Sequence, residues 1–186
     1  MRSRFYGFFL KYVIPEIKFF HATGPNWITK DTLRQLMRPG DVILSKSKFH
    51  LTNVIIKGKF SHAGLVVKKG KIAEMKANDF DVVDIDSFTK HATRFALLRL
   101  KDWDHKYSRE MVDRCMSFAS AKYDKFFTLG VDALYCSELV YESDFDRRIK
   151  ADLSDLVGMG QPYISPTGLY EAEGLTIIME WVDSSW

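Results

Sequence analysis

Two cysteines, Cys115 and Cys136, are all that this 186-residue chain contains. Two thiols cannot build a disulfide framework, and neither sits in a Cys-x-x-Cys pair of the metal-binding type. Strong charge is missing as well. The net charge is only +3 and thinly spread, with no basic stripe interleaved with aromatics, which argues against nucleic acid as a partner. No run of about 20 apolar residues is present, so no membrane-spanning helix is expected. A secretory signal needs an unbroken apolar stretch of about 7–15 residues and a small-residue cleavage site. Here Lys11 interrupts the N-terminal run, Pro15 and Glu16 follow it, and no Ala-x-Ala pattern appears. The default expectation is therefore a cytoplasmic protein. A free thiol fits that reducing setting, or a secreted enzyme that keeps one reactive cysteine. Repeats, low-complexity tracts and long linkers are also lacking, which predicts one domain over residues 31–186 behind an N-terminal extension of residues 1–30.

What is present is ordinary in bulk and unusual at one end. Apolar residues make up 46% and charged residues 27%, enough for a soluble domain with a real core. The extension carries Phe5, Tyr6, Phe8, Phe9, Tyr12, Phe19 and Phe20 among Arg2, Arg4, Lys11 and Lys18. Such a segment either packs as a helix against the domain or lies in a membrane interface.

Periodicity supplies the elements. Residues 31–37 read as a short helix capped by Asp31 or Thr32, closed by the turn at Pro39-Gly40-Asp41. Residues 42–45 read as a strand entering the core, and 51–56 as a short helix. Residues 62–67 and 72–75, joined through Lys68-Lys69-Gly70-Lys71, have the layout of a β-hairpin. Strands are expected at 81–85, 94–100 and 175–181, and helices at 87–91, at 107–122 and from Cys136 onward. Strands clustered between helices imply an α+β domain on a mostly antiparallel sheet.

Within this frame one constellation carries chemistry. Cys136, in Tyr135-Cys136-Ser137-Glu138-Leu139-Val140-Tyr141, opens a helix, where the positive end of the macrodipole favours thiolate. His62 opens the apolar strand Ser61-His62-Ala63-Gly64-Leu65-Val66-Val67, from which an imidazole can serve as base or ion-pair partner. Glu74 sits on the other arm of the hairpin among Ile72, Ala73 and Met75, where an unpaired carboxylate would be costly. A turn centred on Lys69 and Gly70 sets Leu65 opposite Glu74, leaving His62 a few residues away along the ladder, within reach of a long side chain. A carboxylate on one imidazole nitrogen leaves the other for the thiol. Taken singly, a cysteine in an apolar helix is more often packing, and a strand histidine is more often a hydrogen-bonded core residue. Cys115, in an amphipathic helix, takes that packing role. The three side chains are also competent zinc ligands, but no second His or Cys stands at ligand spacing, so no metal or cofactor is expected. His21, His50, His91 and His105 lie near turns or segment ends without partners, and Asp124 caps or turns the approach to Cys136.

The series Arg38-Pro39-Gly40-Asp41-Val42-Ile43-Leu44-Ser45, Phe60-Ser61-His62-Ala63-Gly64-Leu65, Glu74 and Tyr135-Cys136-Ser137-Glu138-Leu139-Val140 resembles the YiiX-like proteins. These are circularly permuted, papain-like members of the NlpC-type cysteine peptidase superfamily. The resemblance covers roughly residues 31–165. It implies a permuted papain-like fold, with His62 coming 74 positions before Cys136 as permutation requires. It further implies Cys136 as nucleophile, His62 as base and Glu74 as the orienting residue of a cysteine amidohydrolase. Peptides or cell-wall (peptidoglycan) fragments are then the leading substrate class. The related lecithin:retinol acyltransferase group shares the permuted order and acts on lipid esters, usually with histidine as third member. Glu74 favours the YiiX-like side, while the aromatic N-terminus, with its scope for membrane-surface contact, supports the lipid-directed alternative. A catalytically silent module binding a peptide or amino acid would not require all three residues.

Overall fold

The short run Val42-Ile43-Leu44 is apolar at every position, the signature of a strand covered on both faces. The computed structural model, which describes residues 20–22, 27–47, 58–130, 133–155 and 162–183, places it at the centre of a seven-stranded sheet. The elements are β1 (Phe20–Ala22), α1 (Trp27–Leu36), β2 (Val42–Ser47), β3 (His62–Lys68), β4 (Lys71–Lys76), β5 (Asp79–Asp84), α2 (Ile85–Thr89) and β6 (Ala92–Leu100). There follow α3 (His105–Ser117), β7 (Lys122–Tyr123), β8 (Ala133–Leu134), α4 (Cys136–Ser143), β9 (Leu153–Asp155), β10 (Pro162–Ile164), α5 (Pro166–Glu171) and β11 (Leu175–Asp183). The sheet order is β1-β11-β6-β2-β3-β4-β5. Every neighbouring pair is antiparallel except β1 beside β11. This is the α+β architecture expected. Among the described residues no helix is long and apolar enough to cross a membrane.

Alternation along the strands divides the core in two. Val42, Leu44, Ala63, Leu65, Ala73, Met75, Ala96 and Leu98 pack with Tyr107, Met111 and Cys115 of α3 and with Leu139 and Val140 of α4. Ile43, Val66, Ile72, Phe95, Leu97, Met179 and Trp181 pack with Leu33 of α1, Met37, and Ile85 and Phe88 of α2. Cys115 is fully buried in the first group, as its helical spacing suggested.

Several boundaries differ from expectation for local reasons. Helix α1 begins at Trp27, so Asp31 lies inside it and bonds Gln35 one turn on instead of capping. Helix α2 begins at Ile85 because Asp84 accepts from the Ser87 amide and caps it two residues early. Helix α3 starts under the Asp104 cap and stops at Ser117, not at residue 122. Asp79 draws the chain away there, taking the Tyr123 amide at 3.0 Å and the Lys122 ammonium at 2.7 Å. The hairpin register also differs. Lys68 pairs with Lys71 and Val66 with Ile72, so a bulge at Val67 sets Gly64, not Leu65, opposite Glu74. His62 and Glu74 thus share a face as diagonal neighbours. The expected helix at 51–56 and residues 5–19 of the aromatic segment lie outside the described residues, while Phe20 opens β1.

The Gly40 turn is left-handed (φ 82°), and a Cβ there would lie 2.7 Å from that of Ser108. It delivers Asp41 into the interior. Asp41 accepts from the Arg38 amide at 2.7 Å and pairs with Arg99, whose Nε reaches Oδ1 at 2.7 Å and whose Nη2 also bonds the Leu36 carbonyl. Burial raises the Asp41 pKa, and Arg99 pulls against it. The pair joins the end of α1 to β6. Replacing Arg99 with Met strands a buried carboxylate, so stability in urea denaturation should fall by about 3–5 kcal/mol. The double variant carrying Asp41→Asn as well should recover part of that loss.

Candidate active site

Helix α4 starts at Cys136 after an extended Tyr135 (φ −103°, ψ 172°) that offers no side-chain cap to the helix. The start is held from outside instead. The Tyr135 hydroxyl accepts from the Ile164 amide at 2.8 Å, and the Ser137 hydroxyl donates to the Ile164 carbonyl at 2.7 Å. Strand β10 therefore clamps the first turn while Leu139 and Val140 bury the helix against the sheet. The result points the Cys136 thiol at the first residues of β3, close enough for the Ala63 amide and the His62 ring to favour its thiolate.

His62 and Glu74 meet as their shared face requires, with Nε2 of the ring 2.7 Å from Oε2 of the carboxylate. Glu74 has no exposed surface. Its other oxygen meets the Lys76 ammonium, two residues along β4, without forming a well-directed hydrogen bond. Phe88 of α2 stacks on the imidazole at 5.2 Å between ring centres. Gly64 makes room for this arrangement, because a Cβ there would sit 2.6 Å from Ile72 and 3.1 Å from Phe88. With Nε2 committed to Glu74, Nδ1 is the nitrogen left for sulfur.

These contacts set the charges. Burial opposes the imidazolium, yet hydrogen bonds with Cys136 and Glu74 outweigh it and raise His62 to about 9. Burial likewise pushes the Cys136 thiol up, and His62, the Ala63 amide and Ser137 more than reverse this, so its pKa falls below the ordinary thiol value. Glu74 is lowered in the same way, burial being outweighed by His62 and Lys76. All three shifts run toward thiolate, imidazolium and carboxylate. Cys115, buried with only Ser143 to help it, is pushed up to about 12.

The structure brings together all three residues singled out in the sequence, and it adds others. Tyr123 and Tyr163 stand close enough for the Cys136 charge to oppose their ionisation, on top of the effect of burial. Glu138, two residues after Cys136, is fully buried and accepts from the Gly130 amide at 2.8 Å. A glutamate three places after a helix cap is a readable signal; Tyr163, 27 residues downstream, leaves none. Asp124 does turn the chain, accepting from the Phe126 and Thr128 amides at 2.7 and 2.6 Å. His91 and His105 are exposed, and His105 packs edge-on to Trp103 at 4.6 Å. The side chain of His21 and the whole of His50 lie outside the described residues.

Comparisons with known proteins bear on the family and the fold. No curated protein matches the chain in sequence. Among solved structures, the metalloprotein yiiX from Escherichia coli O157:H7 superposes with a TM-score of 0.66 at 16% identity, covering 78% of this chain and 98% of that one. Metal binding is named there as a property of that protein. In this chain, among the described residues, no three His, Cys, Asp or Glu side chains are grouped to hold a metal ion. Nε2 of His62 is engaged by Glu74. The sequence model for the permuted papain-like amidase enzymes, YaeF/YiiX, matches residues 36–166. That span runs from the end of α1 to the start of α5, enclosing the whole His62–Glu74–Cys136 cluster, and the chain therefore belongs to the permuted papain-like YaeF/YiiX (C92) amidase family and is a cysteine peptidase or amidase.

Proposed function

We propose that the protein hydrolyses an amide bond through Cys136, with His62 as acid and base and Glu74 as its orienting partner. The observation that carries this reading is the 2.7 Å contact between His62 Nε2 and a Glu74 carboxylate with no exposed surface, on an imidazole that also binds the Cys136 sulfur. The thiolate attacks the carbonyl carbon, and the oxyanion that forms meets the amide of Cys136, one of the unpaired N–H groups at a helix start. The proton on His62 passes to the leaving nitrogen as the C–N bond breaks, giving an amine and a Cys136 thioester. His62, now neutral, takes a proton from water. The hydroxide attacks the thioester, the thiolate leaves, and the product is a carboxylic acid. Glu74 keeps the ring charged in the resting state and fixes which nitrogen faces sulfur.

Peptides, cell-wall peptides first among them, are the substrate class this family relationship favours. A lipid-directed reading is supported by one observation: the loop leading into Cys136 exposes Phe126 by 70% and Leu129 by 49%. Incubation with cell-wall fragments and with phospholipid vesicles, followed by intact-mass analysis, separates them. An acyl adduct on Cys136 with amine release marks the amidase, and a fatty-acyl adduct marks the lipid enzyme. No adduct and no product from either pool would sink both.

The thiol itself gives the first test. Its alkylation by iodoacetamide should keep a high plateau as pH falls below 7, since the thiolate persists while His62 stays protonated up to about 9. In His62→Ala the rate should follow an ordinary thiol with a pKa near 8.5. Cys115 should stay unlabelled throughout. Hydrolysis by His62→Ala should drop by about 10²–10⁴-fold, the usual worth of a positioned acid–base group. Glu74→Gln removes the charge that helps hold the imidazolium, so the thiol should hold its proton longer and the acid limb of the alkylation profile should move to higher pH.

A further inference from the structure

Glu138 is a buried ionisable group close in sequence to Cys136 that this chemistry does not use. At about 100° per residue it lies roughly 200° around α4 from Cys136, so it faces the approach loop and not His62. Its Oε1 accepts from Gly130 at 2.8 Å, and the Tyr135 amide also bonds to the carboxyl. Its Oε2 has no hydrogen-bond partner among the described residues, an expensive condition for an oxygen with no access to water. One side chain thus joins the far end of the loop to the residue just before the nucleophile.

The loop it holds, residues 124–130, is built with care. The Asp124 amide closes its base on the Leu134 carbonyl at 3.0 Å, and the Asp124 carboxylate takes the Phe126 and Thr128 amides together with the Thr128 hydroxyl. Phe127 is forced to a positive φ of 55°, where a bulky residue is strained. Its buried ring packs on Tyr135 at 5.1 Å and Tyr163 at 6.0 Å, and the charge of Cys136 reaches both tyrosines. Two buried carboxylates and a strained aromatic residue are therefore spent on fixing one short segment beside the thiol. That segment shows solvent Phe126 and Leu129.

We infer that Glu138 is a positioning residue that latches the 124–130 loop as an apolar specificity wall beside Cys136, selecting substrates that carry an apolar group next to the scissile bond. The inference rests on Cys136 being the nucleophile, as proposed above. An alkyl chain of a lipid and an apolar side chain of a peptide supply the same chemistry. Burial, above all, pushes the Glu138 carboxyl up to about 7, with Asp124 and Glu142 adding to the rise and the Gly130 and Tyr135 amides opposing it. Tyr135 also feels its charge. Ionisation above that pH places in the latch a buried charge that no cation answers, and should loosen it.

The test compares alkylation of Cys136 by iodoacetamide, N-hexyl-iodoacetamide and N-benzyl-iodoacetamide, read by peptide mass mapping. Wild type should prefer at least one larger reagent by about tenfold, the effect of burying roughly two methylene groups. Preference for hexyl alone marks a lipid-type chain as the source, and preference for benzyl alone marks a peptide side chain. Glu138→Ala and Gly130→Pro, which remove the two halves of the latch, should bring the larger reagents down to the iodoacetamide rate. Glu138→Gln keeps an acceptor for Gly130, and Gly130→Ala keeps the donor with open space for its methyl group, so both should retain the preference. Above pH 7 the preference should fade in wild type and persist in Glu138→Gln. Hydrogen exchange of the peptide spanning residues 124–134 should quicken in Glu138→Ala. Equal slowing of all three reagents in Glu138→Ala, or unchanged loop exchange there, overturns the inference. Failure of iodoacetamide itself to label wild type counts against the proposed function instead, and loop exchange still decides the latch.

Discussion

A carboxylate removed from water must be answered by a counter-charge or by directed donors, and this molecule buries Asp41, Glu74, Asp124, Glu138 and Asp144. Two of the answers tie together parts of the chain that are distant in sequence. Asp41 holds Arg99 across 58 positions, and Asp144 holds the Tyr107 hydroxyl and the Ile149 amide. Glu74 matters most for chemistry. Because it cannot turn toward solvent, its partner's ring is fixed, and the free nitrogen is delivered to sulfur. Glu138 is answered by backbone amides alone, with no cation, and moves in the opposite direction from Glu74. Two glutamates of one fold are thereby driven apart in protonation.

The two cysteines make the same point in sulfur. Both are almost without exposed surface, so burial alone treats them alike. Cys115 has a single weak donor and is raised, while Cys136 has an imidazolium, a backbone amide and a neighbouring hydroxyl and is lowered. Partners decide what desolvation does. A thiol whose pKa is lowered and a thiol whose pKa is raised differ here in what their helices face, not in how deeply they are set.

Much of this was legible in the chain because the relevant signals are local. Cys136 announces itself at a helix start, His62 at the head of an apolar strand, and Glu74 as a charge in an apolar arm of the same hairpin. Their register was not legible. The bulge at Val67 exchanges Leu65 for Gly64 opposite Glu74, and no residue type in the turn dictates it. The end of α3 is not legible for a related reason: Phe118 and Ala119 keep the apolar spacing going, but Asp79, more than 40 positions away, captures Tyr123 and Lys122. The loop latch is likewise a tertiary bond between a glycine amide and a helix glutamate. Asp124 could be read as a turn former, but not as one of two anchors.

The placement of His62 and Glu74 on a local hairpin has a consequence for the order in which the molecule is made. Strands β2, β3, β4 and β5 are successive neighbours in the sheet, so the meander carrying both residues is complete in the chain by residue 84. Cys136 is synthesised 62 residues after Glu74, about 3–12 s later at ordinary elongation rates. The newly made thiol therefore emerges onto a template already bearing its imidazole and carboxylate. Until α4 docks, it remains an ordinary thiol, protonated and slow to react. The lowering of its pKa and the docking of α4 on β3 are one event.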